Sequence, residues 1–113
     1  MSFHLTIDVL EKMYSCLLVQ RPFNRWRLPA ADSVEFRATA IHGAGAHRGG
    51  DPHVITVSLN HNTTFVEAMM TLAHEMIHAA EDIAKKPIGH GAGFRRRVKA
   101  VAKALGCHEK DLA

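Results

Sequence analysis

Residues 63–85 read TTFVEAMMTLAHEMIHAAEDIAK, and the other elements of the chain are placed relative to this segment. Its apolar residues recur every three to four positions, which predicts an amphipathic helix over the whole stretch. Thr64, with Glu67 three residues later, has the spacing of a capping box at the start of that helix. Pro87 and Gly89 are expected to end it, because proline cannot continue a helix. Both ends of one long helix are therefore marked in the sequence.

The middle of this helix carries His74-Glu75-Met76-Ile77-His78, an H-E-x-x-H string. Histidines four positions apart lie on one helix face, about 5–6 Å apart at Cβ, which lets both imidazoles bind one zinc ion. The glutamate between them can take a proton from a zinc-bound water. The plainer alternative is a solvated polar face. The string therefore offers two candidate zinc ligands, His74 and His78, and a candidate general base, Glu75.

A catalytic zinc site usually has three protein ligands and one open position, so a third ligand is expected. His90 follows in GHGAGF at 89–94, where the flanking glycines let the backbone turn sharply toward the metal helix. Glu81 and Asp82 compete for this role, but they lie further along the same straight helix and must reach back. We therefore expect His90 to be the third ligand. Glu67 is expected to cap the helix or orient an imidazole.

The other periodic segments predict a small α+β domain. Residues 6–20 and 92–105 have apolar stripes at helical spacing. Residues 34–42 alternate with period two and residues 54–59 are rich in β-branched side chains, so each is expected to be a strand. The glycine-rich stretch 43–52 is expected to be a loop that joins them as an antiparallel hairpin. The predicted order is α-β-β-α-α.

Length and composition predict one domain over residues 1–113 with one modest core. The formal charge of +3 permits an anionic partner but does not require one. Neither a leader peptide nor a run of about 18 apolar residues is visible, so no membrane partner is expected. We expect a soluble cytoplasmic protein in which Cys16 and Cys107 are reduced thiols.

Two cysteines exclude a four-cysteine zinc ribbon, so histidine and carboxylate would have to bind any metal. The chain has nine histidines. His42 and His47, at and after the end of the first strand, could approach the active site. The other histidines outside the candidate site are expected to be surface or turn residues: His4, His53, His61 and His108.

HEMIHA at 74–79 and GHGAGF at 89–94 together resemble the SprT-like domain of Spartan-type zinc metallopeptidases. In that family the third zinc ligand is a downstream histidine that opens the next helix, and it maps to His90. VITVSLN at 54–60 is similar to the strand before the family's metal helix. The resemblance covers residues 34–105 and implies a zincin-like zinc peptidase linked to DNA–protein crosslink repair. The family's zinc ribbon and DNA-binding extensions have no counterpart here, so a minimal core is expected.

The expected function is hydrolysis of a protein or peptide substrate by a zinc-activated water, with Glu75 as general base. If strand 54–59 lies at the sheet edge, an extended peptide can add to it as a further strand. A catalytically silent zinc-containing binding or regulatory module stays open, as does a zinc hydrolase acting on another bond. The residue that stabilises the oxyanion is not assigned, and its candidates are Tyr14, His42, His47 and Arg48.

DNA is a candidate partner because the basic residues are unevenly placed. Residues 85–103 hold seven of the 14 lysines and arginines and no acid. Phosphate binding by such a cluster would be steeply salt-dependent, whereas the plainer interpretation is a solvated helix face. Additional stacking and phosphate contacts could come from Arg21, Arg25, Trp26 and Arg27. The oligomeric state is left open.

Overall fold

A computed structural model describes residues 3–86 and 88–112 of the chain. The expected α+β class is confirmed: three helices accompany a mixed sheet of three strands. Short 3-10 helices cover Phe23–Arg25, Ala31–Ser33 and Glu109–Asp111. The main elements are α1 (Ile7–Leu18), β1 (Val34–Thr39), β2 (Gly45–Arg48), β3 (His53–Ser58), α2 (Phe65–Ile83) and α3 (Ala92–Leu105).

Helix α2 begins with the predicted capping box. The Thr64 hydroxyl accepts a hydrogen bond from the Glu67 backbone N–H, and the Glu67 carboxylate accepts one from the Thr64 N–H, both at 3.1 Å. The helix ends at Ile83, two residues earlier than predicted, because Lys85 has a left-handed backbone conformation with φ of 57°. The predicted stop at Pro87 lies outside the described residues.

The predicted antiparallel hairpin between residues 34–42 and 54–59 is wrong. Strands β1 and β3 run parallel, and the sheet order is β1-β3-β2. The stretch 43–52, expected to be a loop, contains β2, which pairs antiparallel with β3 and reverses the chain between the parallel strands. Strand β2 gives little sequence signal because its four residues, GAHR, include no β-branched side chain. Strand β2 is therefore an edge of the sheet, and residues 54–58 belong to the central strand.

Strand β2 lies directly against the polar side of α2. A Cβ atom added to Gly45 would be 2.6 Å from Thr71 Cγ2 and 3.1 Å from Glu75 Oε2, closer than side chains pack. Glycine at position 45 therefore permits the edge strand to approach the carboxylate of the H-E-x-x-H string.

The apolar side of α2 is buried as expected, with Leu72, Met76 and Ile77 fully enclosed. Val66, near the start of the helix, is 60% exposed because the core does not extend over that turn. No helix in the described ranges is long and apolar enough to cross a membrane. Cys16 and Cys107 are both free thiols, as predicted.

Candidate metal centre

The three histidines singled out by the sequence lie together. His74 and His78 come from consecutive turns of α2, and His90 comes from the segment that leads into α3. One ring nitrogen from each lies within 4.8 Å of the others. The His90 ring centroid is 5.3 Å from that of His74 and 5.1 Å from that of His78. The arrangement offers three nitrogen donors to one point.

Hydrogen bonds fix the tautomers of the two helical imidazoles. His74 Nδ1 lies 2.6 Å from the Leu112 carbonyl oxygen, and His78 Nδ1 lies 2.8 Å from Glu81 Oε1. A carbonyl or carboxylate oxygen accepts, so each Nδ1 carries the proton and each neutral ring keeps a lone pair on Nε2. Backbone and carboxylate partners of this kind are the usual second layer of a metal-binding histidine.

The two Nε2 atoms lie 3.1 Å apart with their rings nearly perpendicular, and two unprotonated nitrogens at this distance repel each other unless they share a cation. Zinc–nitrogen bonds of about 2.0–2.1 Å at tetrahedral angles separate two ligand nitrogens by about 3.3–3.4 Å. The geometry of His74 and His78 is therefore close to that of a bound pair. The donor set fits a divalent metal ion.

Phe94 packs against all three imidazoles. Its ring centroid lies 5.1 Å from that of His74, 4.8 Å from that of His78 and 4.7 Å from that of His90. It is 2% exposed and stacks on His78 with an interplanar angle of 22°. Phe94 therefore forms a rigid apolar wall that holds the rings. Phe94 lies in the first turn of α3, shortly after His90, so both side chains come from the region where this helix begins.

Glu75 lies beside the histidines in a cleft between β2 and α2. Its Oε2 is 4.0 Å from His74 Nε2, and the side chain is only 7% exposed. Burial raises the pKa of Glu75 to about 7, so the group can both accept and return a proton near neutral pH. The cleft has a volume of about 230 Å³, and Gly45 and Leu112 contribute to its lining.

Asn62, which the sequence did not single out, fixes one wall of this cleft. Its Nδ2 donates to the Ala44 carbonyl at 2.9 Å and to the Ser58 carbonyl at 2.7 Å. Its Oδ1 accepts from the Thr71 hydroxyl at 2.6 Å. This one side chain, 3% exposed, links the start of β2, the end of β3 and helix α2.

The other residues considered for the site have different places. Tyr14 is buried in the core and donates its hydroxyl to the Pro29 carbonyl, so it cannot serve as an oxyanion donor. His42 and Arg48 are exposed. Glu67 is the helix cap described above. Glu81, a competitor for the third ligand, is 2% exposed and holds His78 instead.

His53, predicted to be a surface or turn residue, is only partly exposed. It is the first residue of β3, its side chain is 14% exposed, and its Nδ1 is 2.9 Å from His47 Nε2. The third member of this second cluster is Asp82 on α2. Burial, and secondarily His53, lowers the pKa of His47 to about 4. The prediction began this strand at residue 54, whereas β3 begins at His53, one residue earlier.

The basic residues predicted to contact DNA meet in part around Trp26. Arg25, Arg27 and Arg97 line a cleft of about 310 Å³ beside this ring. The Arg97 guanidinium carbon lies 5.9 Å from the ring centroid, within range of a cation–π contact. Trp26 also packs edge-on against Phe23, with ring centroids 5.4 Å apart, so it is partly a core residue.

The chain matches no protein-family model and no curated protein with which it was compared. Its function must therefore be inferred from the geometry of the site.

Proposed function

We propose that this protein is a zinc-dependent metalloendopeptidase with a zincin-like, SprT-like core. His74, His78 and His90 are its zinc ligands and Glu75 its general base. The observation that carries the proposal is the approach of the two Nε2 atoms to 3.1 Å, with both Nδ1 atoms already hydrogen-bonded to acceptors. A buried carboxylate beside them supplies the base.

A bound zinc ion would supply Lewis acidity, polarising the substrate carbonyl and making the attacking water more acidic. Glu75 takes the proton of that water and returns it to the leaving amine. The Leu112 carbonyl and the Glu81 carboxylate keep the Nε2 atoms of His74 and His78 directed at one point. Phe94 excludes water from the opposite side of the rings.

Strand β2 offers a binding surface for an extended peptide. It lies at the edge of the sheet, so one row of its backbone groups has no partner strand in the described part of the chain. A substrate strand can add to this edge through main-chain hydrogen bonds, which carry little side-chain preference. Gly45 brings the same strand close to Glu75. The arrangement therefore favours unfolded or extended protein segments as substrates.

The number and kind of donors favour an enzyme over a silent zinc module. The cluster contains three histidines within the described residues, the number found in open catalytic sites, whereas structural zinc sites are closed by four ligands. A structural site also has no need of a buried glutamate beside its ligands.

The proposal is tested by incubating zinc-loaded protein with an unfolded substrate such as reduced casein. We expect proteolysis that stops on treatment with 1,10-phenanthroline and returns when zinc is added back, because the chelator removes the Lewis acid. Cleavage that persists in the chelator would contradict the proposal. If the protein is folded and zinc-loaded but does not cleave the substrate, the catalytically silent zinc-containing module is supported instead.

We further propose that DNA-associated proteins are the substrates, with the arginines around Trp26 binding phosphate. The supporting observation is that Arg25, Arg27 and Arg97 line one cleft beside an aromatic ring. Guanidinium groups suit phosphate recognition, and an adjacent aromatic ring can stack on an unpaired base.

Arg97→Gln tests this DNA contact. We expect single-stranded DNA to bind more weakly, with the slope of log K against log salt reduced by about one, because one phosphate contact is lost. Lys110→Gln, an exposed cation on the 3-10 helix Glu109–Asp111, is the matched control. Equal salt slopes for wild type and both variants would contradict a phosphate contact at Arg97.

A further inference from the structure

We propose a second metal site, formed by His47, His53 and Asp82, that binds a divalent transition-metal ion and fastens the β2–β3 turn to the end of α2. This site goes beyond the proposed peptidase centre. It shares no ligand with that centre, and each site can be tested with the other removed.

The three side chains converge from three elements. His47 lies on β2, His53 begins β3, and Asp82 lies in the last turn of α2. One donor atom from each lies within 4.8 Å of the others. His47 Nε2 is 2.9 Å from His53 Nδ1, which is 3.8 Å from Asp82 Oδ2. These distances bracket the separation of about 3.3 Å between two ligands of a tetrahedral zinc ion.

The turn between β2 and β3 passes close to the Asp82 carboxylate. A Cβ atom added to Gly49 would lie 2.5 Å from Asp82 Oδ2 and 3.0 Å from its Cγ. With a larger residue at position 49, the turn or the Asp82 side chain would have to shift. A hydrogen bond between His47 and His53 accounts for their 2.9 Å contact, and the partly exposed Asp82 carboxylate, 3.8 Å from His53 Nδ1, adds a negatively charged third donor beside this pair.

A ligand set of two imidazoles and one carboxylate favours some metal ions over others. Calcium and magnesium prefer sites made of oxygen ligands, whereas imidazole suits zinc, copper, nickel and iron. Asp82 and the imidazoles leave further coordination positions to water. We therefore assign the site to the zinc class of divalent ions, with Co²⁺ as a spectroscopic substitute.

The position of the site gives it a structural role. His47 lies two residues after Gly45, which contacts Glu75, and Asp82 directly follows Glu81, which holds His78. An ion at this site would therefore join β2 and the start of β3 to the last turn of α2. Metal binding should therefore slow amide hydrogen exchange across Gly45–Arg48.

The experiment is a titration of metal-free protein with Zn²⁺ and Co²⁺, with the bound metal counted by elemental analysis. We expect about two equivalents in the wild type and about one in His53→Ala, Asp82→Asn and His90→Ala. The double variant His53→Ala/His90→Ala should retain neither ion at the metal concentration that fills both sites of the wild type. His42→Ala, an exposed histidine outside both clusters, is the matched control and should keep both ions.

The outcomes separate the two sites. One equivalent that is lost in His90→Ala and kept in His53→Ala and Asp82→Asn would overturn the second site and leave the peptidase proposal intact. One equivalent that is lost in His53→Ala and kept in His90→Ala would support the second site and overturn the first. Each metal-free variant is checked for folding by circular dichroism, and Asp82→Asn, a nearly isosteric change, replaces His53→Ala if that variant unfolds. Exchange across residues 45–48 that stays unchanged by metal in His90→Ala would overturn the structural role.

Discussion

Glu75→Gln is expected to lower kcat/KM for peptide hydrolysis by about 10²–10⁴-fold, the usual contribution of a general base. The amide has nearly the shape of the carboxylate, so it fills the same space beside Gly45 and Thr71. It cannot accept a proton, however, and that step of the reaction is lost. Zinc binding at His74 and His78 should persist, because Glu75 is not a ligand in the proposed site.

A matched glutamate on the same helix provides the control. Glu67 is exposed and caps α2, and glutamine satisfies a capping box as glutamate does, so Glu67→Gln should retain full activity. Zinc content and turnover are measured on both variants in parallel. Undiminished turnover in Glu75→Gln would show that another group transfers the proton. Loss of zinc from that variant would show that Glu75 acts through the metal site instead.

The features of this site that could be predicted are local in sequence. Helix periodicity alone places His74, Glu75 and His78 on adjoining faces, and the Thr64 capping box marks where the helix begins. Each depends on residues within one or two turns of one another. The placement of His90 required one further step, which the flanking glycines and the open third position of the site supplied.

The features that could not be predicted depend on distant pairing. Strands β1 and β3 are parallel because β2 reverses the chain between them. The sequence gives little sign of β2, since its four residues include no β-branched side chain. The partner of His74 Nδ1 is the backbone carbonyl of Leu112, 38 positions away, and a backbone acceptor leaves no trace in residue type. Predicting that His47 lies beside His53 would have required the β2–β3 register, since neither residue belongs to a recognisable sequence motif.

His90→Ala is expected to weaken zinc binding at the peptidase centre by at least about a hundredfold, beyond the 10–100-fold cost of losing an outer partner. The variant is made in the His53→Ala background, so that the remaining site alone is counted. His90 lies on an exposed segment, and its removal leaves Phe94 and the helical pair in place. The free energy of unfolding without metal should therefore change little, and the loss should appear as lower affinity in a competitive zinc titration.

Two further variants, His90→Asp and His108→Ala, test whether the lower affinity comes from the loss of a zinc ligand at position 90. Aspartate is itself a zinc ligand, so His90→Asp should recover part of the affinity, whereas alanine recovers none. His108, an exposed histidine before the last 3-10 helix, should be replaceable without effect. If His90→Ala kept its full zinc affinity, the third ligand would have to be a residue other than His90. Glu81 is a carboxylate that the sequence offered as an alternative third ligand. To bind the metal it would have to give up its 2.8 Å hydrogen bond to His78 Nδ1, which would weaken the remaining pair of histidines.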